Sequence, residues 1–213
     1  MQSSITRQCA SHLLRLLPPI ASTAQATILC VFLAAGPLAS EEHEPVKTPP
    51  ISAAEVIDAL QLEGHVEGGF YRRTYEAQDQ PRLDTEQGER FSMTSIFYLL
   101  TSEGPVGHFH LNRSDIVHYF QLGDPIDYFL IHEDGQLETR TMGPDPRQGH
   151  LLQMTVPGGI WKASRLQEGD AGFGLISEAV SPGFDFSDMT LGETQKLLRL
   201  FPQHRATINS LSR

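Results

Sequence analysis

Apolar and polar residues alternate with a period of two through most of the chain beyond residue 68, a pattern that predicts short β-strands. Gly68 to Ala77 alternates aromatic with polar side chains, as a strand with one buried face does. A polar, glycine-containing loop from Gln78 to Glu89 separates it from Phe91 to Thr101, whose Ser95 to Leu100 is strongly apolar. Further strands are expected around His108 and His110, over Ile116 to Leu122 and over Ile126 to His132. The last of these meets Gln136 to Met142 across Glu133-Asp134-Gly135, where Asp-Gly is a strong hairpin signal. His150 to Val156, Ile160 to Leu166 and Ala171 to Ser181 complete the series, separated by Pro-Gly-Gly and Glu-Gly-Asp turns. Short strands at this even spacing mean a sandwich or a small barrel. Helical spacing occurs only at the two ends. Ser52 to Glu55 is a capping box before Val56, Ile57 and Leu60, and Gly192 to Leu200 is helical until Pro202 ends it. One all-β domain over 51–213, with a short helix at each end, is therefore expected.

The first forty residues do not share this pattern. Met1 to Ser40 contains no Asp or Glu, carries Arg7 and Arg15, and ends in the apolar run Ile28 to Ala35. That composition reads as a targeting segment, with Ala39 and Ser40 as small residues at a cleavage site. The run is too short for a membrane-spanning helix, which needs about 20 residues. Its basic residues lie far from the apolar run, so an organelle transit peptide competes with a secretory signal, and a misassigned start codon competes with both. The expected location is secreted, periplasmic or within an organelle lumen if the segment is a targeting peptide, and cytoplasmic otherwise. Glu41 to Pro50, charged and proline-rich, reads as a solvated linker.

Setting the leader aside changes the charge. All 26 acidic residues follow Ser40 while two of the 16 basic ones precede it, so the remainder carries a net charge of −12 with His neutral. Such a surface argues against sequence-independent binding to nucleic acid or anionic lipid. No stable membrane insertion of the mature domain is expected. Both cysteines, Cys9 and Cys30, lie in the leader, so the domain has no disulfide and no thiolate, and any metal needs His and carboxylate ligands.

Candidate chemistry concentrates in Gly104 to Gly123. In an extended strand His108 and His110 leave the same face about 7 Å apart, a spacing at which two imidazoles share one ion or one small ligand. Asp115 follows after a short polar stretch, and His118 lies in the next strand.

Gly104 to Gly123 resembles the first cupin motif, in which H-x-H is followed by an acid and then a glycine. Val156 to Lys162 resembles the second, P-x-G-x-x-H. Wider features are similar to the cupin-5 family of unknown function (DUF985). They are Leu62 to Arg72 with Thr74, Ser114-Asp115 ahead of Gly123-Asp124, Pro157 to Trp161, and Ser181 to Phe186. The resemblance runs from about Ala53 to the C-terminus. It implies a double-stranded β-helix, the RmlC-like jelly roll, with a small-molecule pocket in its mouth, and commonly a homodimer. It implies no activity, because similar folds serve metal-free sugar epimerases, metal-dependent enzymes and binding proteins alike.

Departures from the metal-binding pattern shape the expectation. Lys162 stands where the second motif has its His, and the acid is Asp115 in place of Glu. Three readings follow. A metal-independent isomerase or epimerase on a carbohydrate-like substrate uses His110 or His118 beside Asp115 as acid or base and Tyr71 or Tyr119 as proton donor. Arg72 and Lys162 then hold an anionic group, Glu67 joins the ligand site, and Trp161 stacks on a ring. A metal-dependent enzyme holds Fe, Mn, Ni or Zn with His108, His110 and Asp115. A binding module does no chemistry. Plain alternatives are a core role for Trp161, a rim ion pair between Glu67 and Arg72, and surface or loop positions for His65, His132 and His150, with His43 and His204 in polar stretches.

Overall fold

A computed structural model describes residues 50–213, which fall within one compact unit. The proposed targeting segment, most of the linker, both cysteines and His43 lie outside the described residues. The chain opens with α1 (Ala53–Leu60). Ser52 Oγ accepts from Glu55 N while Glu55 Oε2 accepts from Ser52 N at 2.8 Å, the reciprocal cap its sequence predicts. Val56 and Ile57 seat the helix on Leu99, Phe173 and Leu175.

Two antiparallel sheets then face each other. The larger runs β1 (Glu63–Gly64), β2 (Phe70–Glu76), β5 (Thr94–Thr101), β12 (Phe173–Ser181), β7 (Asp115–Gly123) and β10 (Gln153–Val156) in that spatial order. The smaller runs β13 (Met189–Leu191), β6 (Val106–Asn112), β11 (Trp161–Leu166), β8 (Ile126–Ile131) and β9 (Leu137–Met142). The stretch read as a loop, 78–89, contributes a two-stranded ribbon, β3 (Leu83–Thr85) with β4 (Gly88–Arg90). From β5 to β13 the chain crosses between the two sheets at every step except the β8–β9 hairpin, which makes the architecture a jelly roll. The expected hairpin joins β8 to β9, with Gly135 at φ 81° as its turn requires.

Period-two alternation sorts the side chains. Tyr98, Leu100, Tyr128, Leu130 and Ile176 meet between the sheets. The outer face of the smaller sheet is equally apolar and is covered by α2 (Thr194–Leu200) and α3 (Arg205–Leu211). The sequence predicts one terminal helix and the structure has two, because Ile208 and Leu211, three residues apart, give the last segment its own buried stripe.

One irregularity governs the site. Lys162 pairs with His110, but Ser164 pairs with Gly107, so His108 and Phe109 together oppose Ala163. This β-bulge breaks the alternation that would have placed His108 and His110 on one face. The freed His108 N–H donates to Glu67 O at 2.6 Å. The turn bearing Glu67 docks there through Gly68 (φ 101°), where a Cβ would collide with the Val106 carbonyl.

Trp161 lies on the outer, helix-covered face with Phe109, Ile131 and Leu197, 7% exposed. It fills core, so the ligand-stacking role is corrected in favour of packing. Trp161→Ala is expected to cost about 3–5 kcal/mol of unfolding free energy, measured by urea denaturation, because the cavity it leaves is closed on both sides.

Candidate functional site

Five ionisable side chains enter the space between the sheets from five places. His110 and Lys162 are register partners on β6 and β11, and His118 and Glu178 are register partners on β7 and β12. Glu67 comes from the turn that the bulge anchors. All five are buried or nearly so, with Glu67 at 7%, His110 at 6%, His118 at 0% and Lys162 at 4% exposure.

Glu67 and His110 form the centre. His110 Nδ1 lies 2.8 Å from His108 O, and since a carbonyl only accepts, Nδ1 carries the proton. Its Nε2 lone pair therefore faces Glu67 Oε2, 3.3 Å away. Burial pushes the Glu67 carboxyl up to about 8, against the pull of Lys162. Burial and then the Lys162 charge push His110 down to about 3. Near neutral pH the pair is a carboxylic acid facing a neutral imidazole, holding one transferable proton. His65 flanks it, with Nδ1 accepting from Glu67 N at 3.3 Å and its ring edge-on to Tyr71 at 4.5 Å.

The second group is charged. Lys162 Nζ donates to His118 Nε2 at 2.9 Å and stands 3.7 Å from Glu178 Oε1, which lies 3.2 Å from the same Nε2. Burial opposes ionisation of Glu178, but the Lys162 charge leads the influences that more than offset it, so Glu178 is held well below the usual carboxylate range. His118 is lowered by burial first and by Lys162 second, so it stays neutral. Its Nδ1 has no hydrogen-bond partner among the described residues.

A cavity of about 30 Å³, room for one water, opens beside the centre. Glu67, His110, Glu178, Tyr71, Asn112 and Arg73 are among its lining residues. Arg73 is paired with Glu76 at 2.9 Å and lies over the Phe184 ring.

The structure thus brings together Glu67, Tyr71, His110, His118 and Lys162 of the sequence candidates. It does not bring the others. His108, displaced by the bulge, turns its Nδ1 to Leu211 O at 3.3 Å. Asp115 is exposed at the start of β7, and its Oδ1 accepts from Gly158 N at 2.8 Å, a loop-fixing bond. Tyr119 is on the outer face at 36% exposure. Arg72 pairs in register with outward Phe97, so the cavity takes its neighbour Arg73, and the expected Glu67–Arg72 ion pair gives way to Glu67–His110. His65, read as a surface or loop histidine, instead has a buried side chain lining the cavity, because its turn docks on the bulge. Glu178, Arg73 and Asn112 were not singled out from the sequence. Glu178 had a signal, since it interrupts the inward apolar row Ile176, Val180; His65 had none.

The cupin superfamily model of the DUF985 family matches residues 54–192. The chain belongs to the cupin superfamily, DUF985 family. This cupin is 38% identical over 182 residues to the uncharacterised protein YML079W of Saccharomyces cerevisiae, covering 79% of this chain and 90% of that one. Among solved structures it is similar to a hypothetical protein from Leishmania major, with 33% identity, a TM-score of 0.72, and coverage of 76% of this chain and 99% of that one. It is also similar to protein SO0799 from Shewanella oneidensis, with 37% identity, a TM-score of 0.70, and coverage of 76% and 98%. Among the described residues no helix is long and apolar enough to cross a membrane.

A metal of the kind cupins can hold does not fit the residues present. His108 and Asp115 are turned to Leu211 and Gly158, and an ammonium, Lys162, occupies the fourth position. Among the described residues no three His, Cys, Asp or Glu side chains are grouped to hold an ion.

The proton pair has a stability signature. Glu67 is raised in the fold, so its contribution is full below its ordinary 4.5 and is lost as pH rises towards 8. His110 is lowered, so its contribution is full above 6.5 and is lost as pH falls towards 3. The two slopes cancel between 4.5 and 6.5, leaving Glu67 to destabilise the fold from pH 6.5 to 8. One proton over that span is about 2 kcal/mol. Unfolding free energies at pH 6.5 and 8 should differ by that amount in the native chain and by much less in Glu67→Gln.

Proposed function

We propose that this cupin catalyses isomerisation or epimerisation at a carbon next to a carbonyl, on a small carbohydrate-like molecule, by acid–base chemistry without a metal. One observation carries the reading. Glu67 and His110 present a proton donor and a proton acceptor side by side in one cavity, with their affinities pushed apart by burial. The Glu67 carboxyl gives its proton to the substrate's carbonyl oxygen while His110 Nε2 takes the proton from the adjacent carbon. A neutral enediol results, with the pair left as carboxylate and imidazolium. Return of the His110 proton to carbon, on the other face or at the neighbouring carbon, and of the hydroxyl proton to Glu67 restores the resting state. His108 O holds the His110 tautomer throughout, and the Lys162 charge stabilises the transient Glu67 carboxylate.

A binding protein that does no chemistry is the second reading. The small free volume, about 30 Å³, favours it, since only the end of a ligand enters without displacing side chains.

Incubation of the full chain with a panel of hydroxyaldehydes, hydroxyketones and sugars in deuterated water, followed by proton NMR, separates the two. Solvent deuterium should enter at the carbon beside the carbonyl of at least one compound. Glu67→Gln and His110→Ala should slow it about 10²–10⁴-fold. Asp115→Asn should leave it unchanged. No exchange with any compound that binds sustains the binding reading.

A further inference from the structure

Asn112 is a cavity-lining polar side chain with no use so far. It projects inward from β6 two residues beyond His110 and is 7% exposed, and its Oδ1 is buried without a hydrogen-bond partner among the described residues. A buried amide oxygen left unpaired is unfavourable. Apolar side chains, Ile96, Ile116 and Val180, line the same cavity and offer it no partner. The amide can turn about its last bond without breaking a protein contact of Oδ1, so either end can meet a molecule in the cavity. A primary amide is matched by a ligand that carries a hydroxyl and a carbonyl, or two hydroxyls, on adjacent carbons.

The charges narrow the class further. Glu178 is ionised at the cavity wall, Arg73 is paired with Glu76, and Lys162 is paired with Glu178 and His118 behind that wall. Among the described lining residues there is thus no unpaired cation to receive a carboxylate or a phosphate. An anion entering here faces Glu178, while the nearest cations, Arg73 and Lys162, are already engaged by Glu76 and by Glu178.

We propose that Asn112 is the specificity-determining residue of this cavity, orienting the uncharged hydroxy-carbonyl end of the ligand against the Glu67–His110 pair and excluding anionic analogues. The inference rests on the acid–base reading for what happens after binding, but binding itself does not depend on it.

The test uses the full chain and hydroxyacetone as the probe, with acetone and 1-propanol, which each keep one of its two functions, and lactate, which adds the charge. Dissociation constants come from ligand-observed NMR at millimolar concentration. Hydroxyacetone is expected to bind at least tenfold more tightly than the other three. Asn112→Leu and Asn112→Asp should each remove that preference while keeping a cooperative melting transition. The aspartate keeps the shape and so serves if the leucine fails to fold. Equal binding of hydroxyacetone by the native chain and a folded Asn112 variant overturns the proposal, as does a native preference for lactate or for none of the four. Deuterium incorporation into bound hydroxyacetone reports separately on the proton pair. Selective binding without exchange refutes the acid–base reading and leaves Asn112 in its role. Exchange that survives in the Asn112 variants, with unchanged affinity, does the reverse.

Discussion

Ionisable groups enclosed between two sheets cannot all be charged, and the distribution of their protons is the constraint on which the rest depends. Glu178 retains its charge because Lys162 stands beside it, and Lys162 in turn donates to His118. Glu67 has only imidazoles for close neighbours, so burial leaves its carboxyl protonated, and His110, already near an ammonium, stays neutral. The charged group thereby sets the state of the neutral one. An unpaired charge at Glu178 would be costly without Lys162, which gives the lysine at the second motif a positive reason to be there.

The fold holds this arrangement through backbone more than through side chains. The bulge opposite Ala163 releases His108 N to grip Glu67 O, and it turns His108 O towards the His110 ring. Tyr98 adds a hydroxyl donated to Gly68 O at 2.9 Å. One local departure from regular pairing thus fixes the position of the acid, the tautomer of the base and the distance between them. The helices behind the smaller sheet support the same strand, since Phe109, the bulge residue facing outward, packs against Leu197 and Ile208.

Much of the fold was legible because strand periodicity and turn chemistry are local. The β8–β9 hairpin, the capped first helix and the motif order from Leu62 to Phe186 all follow from short stretches. The site was legible only in part, because it depends on register. A bulge moves His108 off the face it would share with His110, and nothing in H-x-H announces a bulge. A choice of phase in β2 decides that Arg73 and not Arg72 faces inward, and both residues are the same type. Asp115 has the sequence position of a ligand, yet a loop amide at Gly158 captures it. Glu178 was readable as a polar interruption of an inward apolar row, but only once that row was assigned to a face. His65 reaches the site through a turn whose docking no local pattern encodes.

Glu67 is a carboxylic acid at neutral pH because it is buried beside a neutral His110. Carbon-13 NMR of the full chain labelled at glutamate side-chain carboxyls, with Glu67 assigned by difference from Glu67→Gln, reads this directly across pH 4 to 9. The Glu67 signal should keep the shift of a protonated carboxyl through pH 7 and titrate with a midpoint near 8. A midpoint near 4.5, the ordinary value for glutamate, would contradict it.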